Sequence, residues 1–110
     1  MTEQEFQEVL QQRLKKIEQT LGQKAKEYAT DMDKLHNFNV GARLTGQTRE
    51  RVLWGFALKH YISFLDILDG LDKGKLPTEA MVDEKIGDLC CYLVLVEASL
   101  KDRLDGELPY

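Results

Sequence analysis

The chain has 110 residues, 43% of them hydrophobic and 31% charged, enough for a single helical domain over residues 1–110 and too short for two. Two prolines and eight glycines leave little room for a turn-rich all-β design. A formal charge of −4 argues against a general nucleic-acid binder, which presents a basic face.

Taken in chain order, the N-terminal stretch MTEQEFQEVLQQRLKK is polar and amphipathic and lacks the apolar core of a signal peptide. It opens a first long helix over residues 2–30, in which Phe6, Leu10, Leu14, Ile17, Leu21, Ala25 and Tyr28 recur three and four apart on one face. Residues 31–47, DMDKLHNFNVGARLTGQ, exceed an ordinary helix–helix connection of roughly 2–8 residues, and a short helix is predicted within them over 37–44. A second long helix covers 48–71, with Thr48 as its N-cap and Gly70 and Gly74 flanking its stop. Its apolar residues surround it, as in a central, buried helix. The third long helix covers 78–104, with acids crowding its first turns, where the helix dipole favours them. Its adjacent Cys90 and Cys91 sit in an apolar run and read as buried thiols, which suits a reducing, cytoplasmic setting. No run approaches the roughly 20 apolar residues of a membrane span. The expected fold is all-α: three long helices plus a short connecting helix, in a helical bundle completed by oligomerisation, with a dimer the simplest case.

The charge is unevenly placed. Residues 1–30 are neutral, 31–60 carry +2 and 61–110 carry −6. That suits a phosphate site beside a metal site, and equally an ordinary charged surface. Three sets of residues bear on the choice. In the second long helix Lys59, Ser63 and Asp66 share one face, with His60 beside it. Polar groups on so apolar a helix mark either a solvated stripe or a polar pocket. In the third long helix Glu84 and Asp88 stand four apart, and Tyr92 continues the row. Like charges at that spacing repel, and a divalent cation such as Mg²⁺ would turn repulsion into coordination; two solvated carboxylates are the plainer alternative. Around the connection, Lys24 could meet a phosphate as a point charge, Tyr28 or Phe38 could stack on a base, and Asn37 could read its edge. The plainer reading there is a helix end plugged by Leu35 and Phe38. There is no P-loop, dinucleotide-binding, serine-hydrolase or zinc-protease motif, and neither His36 nor His60 has an aspartate beside it in sequence.

The order Lys24 and Tyr28, then His36-Asn37-Phe38, then Lys59-His60-x-x-Ser63, then Glu84-Lys85-Ile86-x-Asp88-x-x-x-Tyr92 resembles small phage-encoded helical proteins related to the nucleotide-modification-associated domain family. More distantly it is similar to the all-α nucleoside-triphosphate pyrophosphatases of the MazG and dimeric dUTPase kind. The resemblance spans roughly residues 24–100 and implies a helical oligomer that binds a nucleotide phosphate, with Mg²⁺ on helix carboxylates. Glu84 and Asp88 match the second acidic motif, at E-x-x-x-D rather than E-x-x-D spacing. The first acidic motif is replaced by Lys59, His60, Ser63 and Asp66, so the resemblance favours nucleotide binding over catalysis.

Three functions follow as expectations. A Mg²⁺-dependent nucleotide (pyro)phosphohydrolase would hold metal with Asp66, Glu84 and Asp88. Lys24 and Lys59 would offset phosphate charge, with His60 as general base and Lys59 assisting. A non-catalytic protein that sequesters a nucleotide from host defence would use Lys24, Tyr28, Asn37, Phe38, Lys59 and Ser63 for binding alone. A protein-interaction module, such as an inhibitor of a host enzyme, would use none of these as a site.

Overall fold

The computed structural model describes the backbone of residues 1–28 and 35–106, and the side chains of residues 1–22 and 35–106. Among the described residues the chain is all-helical: α1 (Glu3–Tyr28), α2 (His36–Thr45), α3 (Arg49–Asp72) and α4 (Glu79–Leu104). The boundaries follow local chemistry. Thr2 and Glu5 form a reciprocal capping box: the Thr2 hydroxyl accepts from the Glu5 amide at 3.1 Å, and the Glu5 carboxylate accepts from the Thr2 amide at 2.8 Å. Thr48 and Thr78 cap α3 and α4 in the same way, each accepting the amide three residues on. At the end of α3 the Gly74 amide donates to the Leu71 carbonyl and the Lys75 amide to the Gly70 carbonyl. Gly74 adopts the φ of +80° this termination demands. The chain is thereby turned straight back into α4, and α3 and α4 become an antiparallel hairpin.

The hairpin's register is fixed by its cross-helix contacts, Arg49 against Ser99, Phe56 against Tyr92 and His60 against Asp88. Its inner seam on α3 runs through Leu53, Ala57, His60, Phe64 and Ile67, all buried or half-buried and spaced four and three apart. The short helix α2 lies across α3 and adds Leu35 and Phe38 to Leu53, with Val52, Tyr92, Leu95 and Val96 packed around them. The core therefore sits at one end of the hairpin. No helix among the described residues is long and apolar enough to cross a membrane. Cys90 is half-buried and Cys91 buried, both as thiols.

Within one chain α3 is covered along its inner seam and at Val52, while Trp54, Phe56, Leu58, Tyr61 and Ile62 are exposed, so one chain alone does not give this helix the central, buried place its pattern predicts. The apolar stripe of α1 exists, but Phe6, Leu10 and Leu14 are exposed as well. The physical reason is the same in both: three long helices and one short one do not offer enough facing surface to close around each other.

A polar cluster locks the core end of the hairpin. Arg49 is 2% exposed. Its Nε donates to the Ser99 hydroxyl at 2.6 Å, Nη2 to the Ser99 carbonyl at 2.9 Å, and Nη1 to the Asn39 side-chain oxygen at 3.0 Å. Asp102 adds an ion pair at 3.2 Å. The Ser99 hydroxyl donates to Glu50, which Arg103 also grips at 2.6 and 2.9 Å. No buried side-chain nitrogen or oxygen among the described residues lacks a partner, as burial of such groups requires.

Candidate functional site

The hairpin register brings together two i, i+4 pairs from facing helices. On α3 these are Phe56 and His60; on α4, Asp88 and Tyr92. The His60 Nδ1 lies 3.2 Å from the Asp88 carboxylate. The His60 ring stacks on Tyr92 with centroids 5.3 Å apart. Tyr92 lies parallel to Phe56 at 6.3 Å, and Phe38 meets Phe56 edge-on at 6.1 Å.

These rings border a cavity of about 160 Å³ lined by Asn37, Phe38, Phe56 and Tyr92. It is smaller than the roughly 300–1,000 Å³ that encloses a drug-sized ligand, so it suits one planar ring with the rest of the molecule outside. Asn37, in the first turn of α2, supplies the polar atoms at its rim, and Leu35 at the head of that helix gives no side-chain cap. One turn along α3 from Phe56 stand Lys59, which is exposed, and His60, which is half-buried.

The residues singled out from sequence fall as follows. Asn37 and Phe38 line the aromatic cavity, and Phe38 is also core, so the binding and the plain readings of that segment are both realised. His60 and Asp88 meet. Lys59 points outward on the adjoining turn, and the Ser63 hydroxyl donates to the Lys59 carbonyl at 3.2 Å, turned onto its own helix. The side chains of Lys24 and Tyr28 lie outside the described residues. The three proposed metal ligands are not gathered. Asp66 opens on a cavity at the α3–α4 turn with Ser63, Lys75 and Lys85. Glu84 and Asp88 line a different one, between α1 and α4. Glu84 is 3.4 Å from the Lys85 ammonium, and Asp88 is engaged by His60. Among the described residues no three His, Cys, Asp or Glu side chains stand together as a metal site requires. The described residues of a single chain thus do not assemble the Mg²⁺ site that the resemblance implies.

Sequence reasoning passed over Phe56 and the His60–Asp88 contact. The available signal was that Phe56 precedes His60, and Tyr92 follows Asp88, by the same four residues. Only the register of the hairpin turns those two spacings into one cluster. Compared with known protein families, curated proteins and solved structures, the chain matches none of them.

Proposed function

We propose that the protein is a cytoplasmic nucleotide-binding protein of the phage-type group it resembles, holding the base in the aromatic cavity and the phosphates along the adjoining turn of α3. The observation that carries this reading is the cavity of Asn37, Phe38, Phe56 and Tyr92, set beside an oriented His60. Aromatic faces stack on any base, at roughly 1–3 kcal/mol per base, and an amide at the rim can read its edge. Lys59, one turn on, is an exposed point charge for phosphate. Binding without turnover is preferred to hydrolysis, because the phosphate chemistry would need metal ligands that the described residues of one chain do not assemble. The same reading has the protein act as a homo-oligomer, which its open apolar faces support.

The test is a thermal-unfolding screen against nucleoside mono-, di- and triphosphates, with and without Mg²⁺, paired with assays for released phosphate and pyrophosphate. A ligand present at 100 times its Kd should stabilise by about 2.7 kcal/mol. Lys59→Ala should weaken that ligand about tenfold, some 1.4 kcal/mol, and leave the ligand-free melting temperature unchanged. Mg²⁺-dependent turnover would move the assignment to hydrolysis and call for a metal site built from more than one chain. If no nucleotide shifts unfolding at millimolar concentration, the nucleotide reading fails and the interaction-module alternative takes its place.

A further inference from the structure

The turn between α3 and α4 borders a cavity of about 270 Å³ that shares no residue with the aromatic one. Its polar groups are sorted by origin. Helix α3 supplies Ser63 and Asp66, three residues apart on one face. The Ser63 hydroxyl gives its proton to the Lys59 carbonyl at 3.2 Å, so its oxygen is left to accept, as an ionised Asp66 does. Lys75, just past the turn, and Lys85, from the second turn of α4, supply ammonium groups that only donate. Ile67, Pro77 and Met81 add apolar lining. Pro77 and Met81 flank the N-terminus of α4, the positive end of its dipole, on the same side as the lysines.

These opposite charges border one cavity without pairing across it. Among the described residues neither the Asp66 carboxylate nor the Lys75 ammonium has an ion-pair or hydrogen-bond partner. Lys85, whose side chain is 26% exposed, meets only its sequence neighbour Glu84, at 3.4 Å and 64% exposed, a weak, solvated pair that a ligand group can replace. The lysine side is held in place by the turn. The Lys75 amide donates to the Gly70 carbonyl at 2.8 Å, and Gly74 takes a φ of +80°. Charge decides what fits. A phosphate dianion would meet the Asp66 carboxylate as well as the lysines, and a polyamine would meet two like charges. A molecule carrying both a carboxylate and an ammonium answers both sides and fills the gap that keeps them from pairing. The volume lies just below the roughly 300–1,000 Å³ of drug-sized sites, which suits a free amino acid.

We infer that the cavity at the α3–α4 turn binds a free α-amino acid with an apolar side chain. Lys75 and Lys85 take its carboxylate, Asp66 and the Ser63 oxygen take its ammonium, and Ile67 and Met81 pack on its side chain. The two cavities have no residue in common, so this site stands whether or not a nucleotide binds at the aromatic one.

Calorimetric titration of the whole chain with L-methionine, L-leucine and L-phenylalanine tests it. At least one of the three should bind with a dissociation constant below about 1 mM and raise the melting temperature. N-acetyl-L-methionine, which lacks the ammonium, and L-methioninamide, which lacks the carboxylate, should each bind at least about tenfold more weakly than L-methionine. Asp66→Asn and Lys75→Ala, both at exposed positions, should each weaken the amino acid by about tenfold. Should either variant fail to fold, the blocked derivatives read the same two contacts on the wild type. Inorganic phosphate and spermidine serve as probes of one charge alone. The inference is overturned if none of the three amino acids binds or stabilises at about 10 mM. It is also overturned if phosphate or spermidine binds more tightly than they do, if a blocked derivative matches its parent, or if both folded variants bind as the wild type does.

Discussion

A buried guanidinium is tolerable only when its charge and its donors are all answered inside the fold. Arg49 meets that condition by tying α2, through Asn39, to α4, through Ser99 and Asp102. Arg49→Ala should cost about 3–5 kcal/mol, because it leaves partners on both neighbouring helices unanswered. Ser99→Ala, which removes one shared hydroxyl, should cost about 1–3 kcal/mol. Denaturant titration measures both, and equal small losses would show the cluster to be peripheral. Glu50, in the same cluster, supplies a pH dependence. Burial pushes its carboxyl up, but hydrogen bonds from Ser99 and Arg103 and the Arg103 charge outweigh that and hold it below its ordinary 4.5. A carboxyl lowered in the folded state stabilises the fold at every pH above its unfolded value, and the contribution fades as pH falls through the folded value. The stability gap between wild type and Glu50→Gln should therefore be full from neutrality down to about pH 4.5 and close below it. A gap that does not narrow at all as pH falls below 4.5 to the acid limit of folding would mean that the Glu50 carboxylate is not the stabilising form.

Helix by helix, the part of the fold written locally was legible and the part written across helices was not. Thr48 and Thr78 announce the starts of α3 and α4, Gly74 announces the turn between them, and the short helix α2 (His36–Thr45) falls almost where it was expected. The apolar residues on every side of α3 also announced more than one partner, which is why one inner seam and one open stripe are found there. What local pattern could not decide was which polar residues of α3 face inward. Lys59, His60 and Asp66 look alike as interruptions of an apolar helix. Only the register of the hairpin, fixed by contacts across the two helices, places His60 on Asp88 while Lys59 and Asp66 are exposed. Arg49 was likewise readable only as one charge of a cationic middle segment, since its partners Ser99 and Asp102 come from the far end of α4. The acidic C-terminal half therefore serves partly as internal counter-charge: Asp102 answers Arg49, and Asp83 answers Arg13 and Lys16.

At the scale of the whole molecule, the single chain divides into a locked end and an outlying arm. The locked end holds Leu35, Phe38 and Leu53 and the Arg49 cluster, none of which lies on α1. Helix α1 meets α4 through Asp83, paired with Lys16 at 3.1 Å and with Arg13 at 3.6 Å, and through half-buried Ile17, which lines a cavity with Gly87 and Cys91. Half-exposed pairs of this kind are worth about 0–1 kcal/mol each. The Arg13 guanidinium lies over Gly87, where a Cβ would stand 2.6 Å from it, a contact that the flexible end of the arginine relieves by moving aside. Deleting residues 1–21 should therefore leave α2, α3 and α4 folded. The shortened chain should keep its helical signal per residue and still unfold in one cooperative transition. If the protein self-associates through its exposed apolar residues, the shortened chain should also associate more weakly than the full chain, because Phe6, Val9 and Leu10 are lost with α1. Circular dichroism with denaturant reads the first outcome and sedimentation the second. Loss of cooperative unfolding in the shortened chain would make α1 an integral part of the core and remove the distinction between lock and arm. Retained cooperativity with unchanged association would show that α1 contributes nothing to the oligomer.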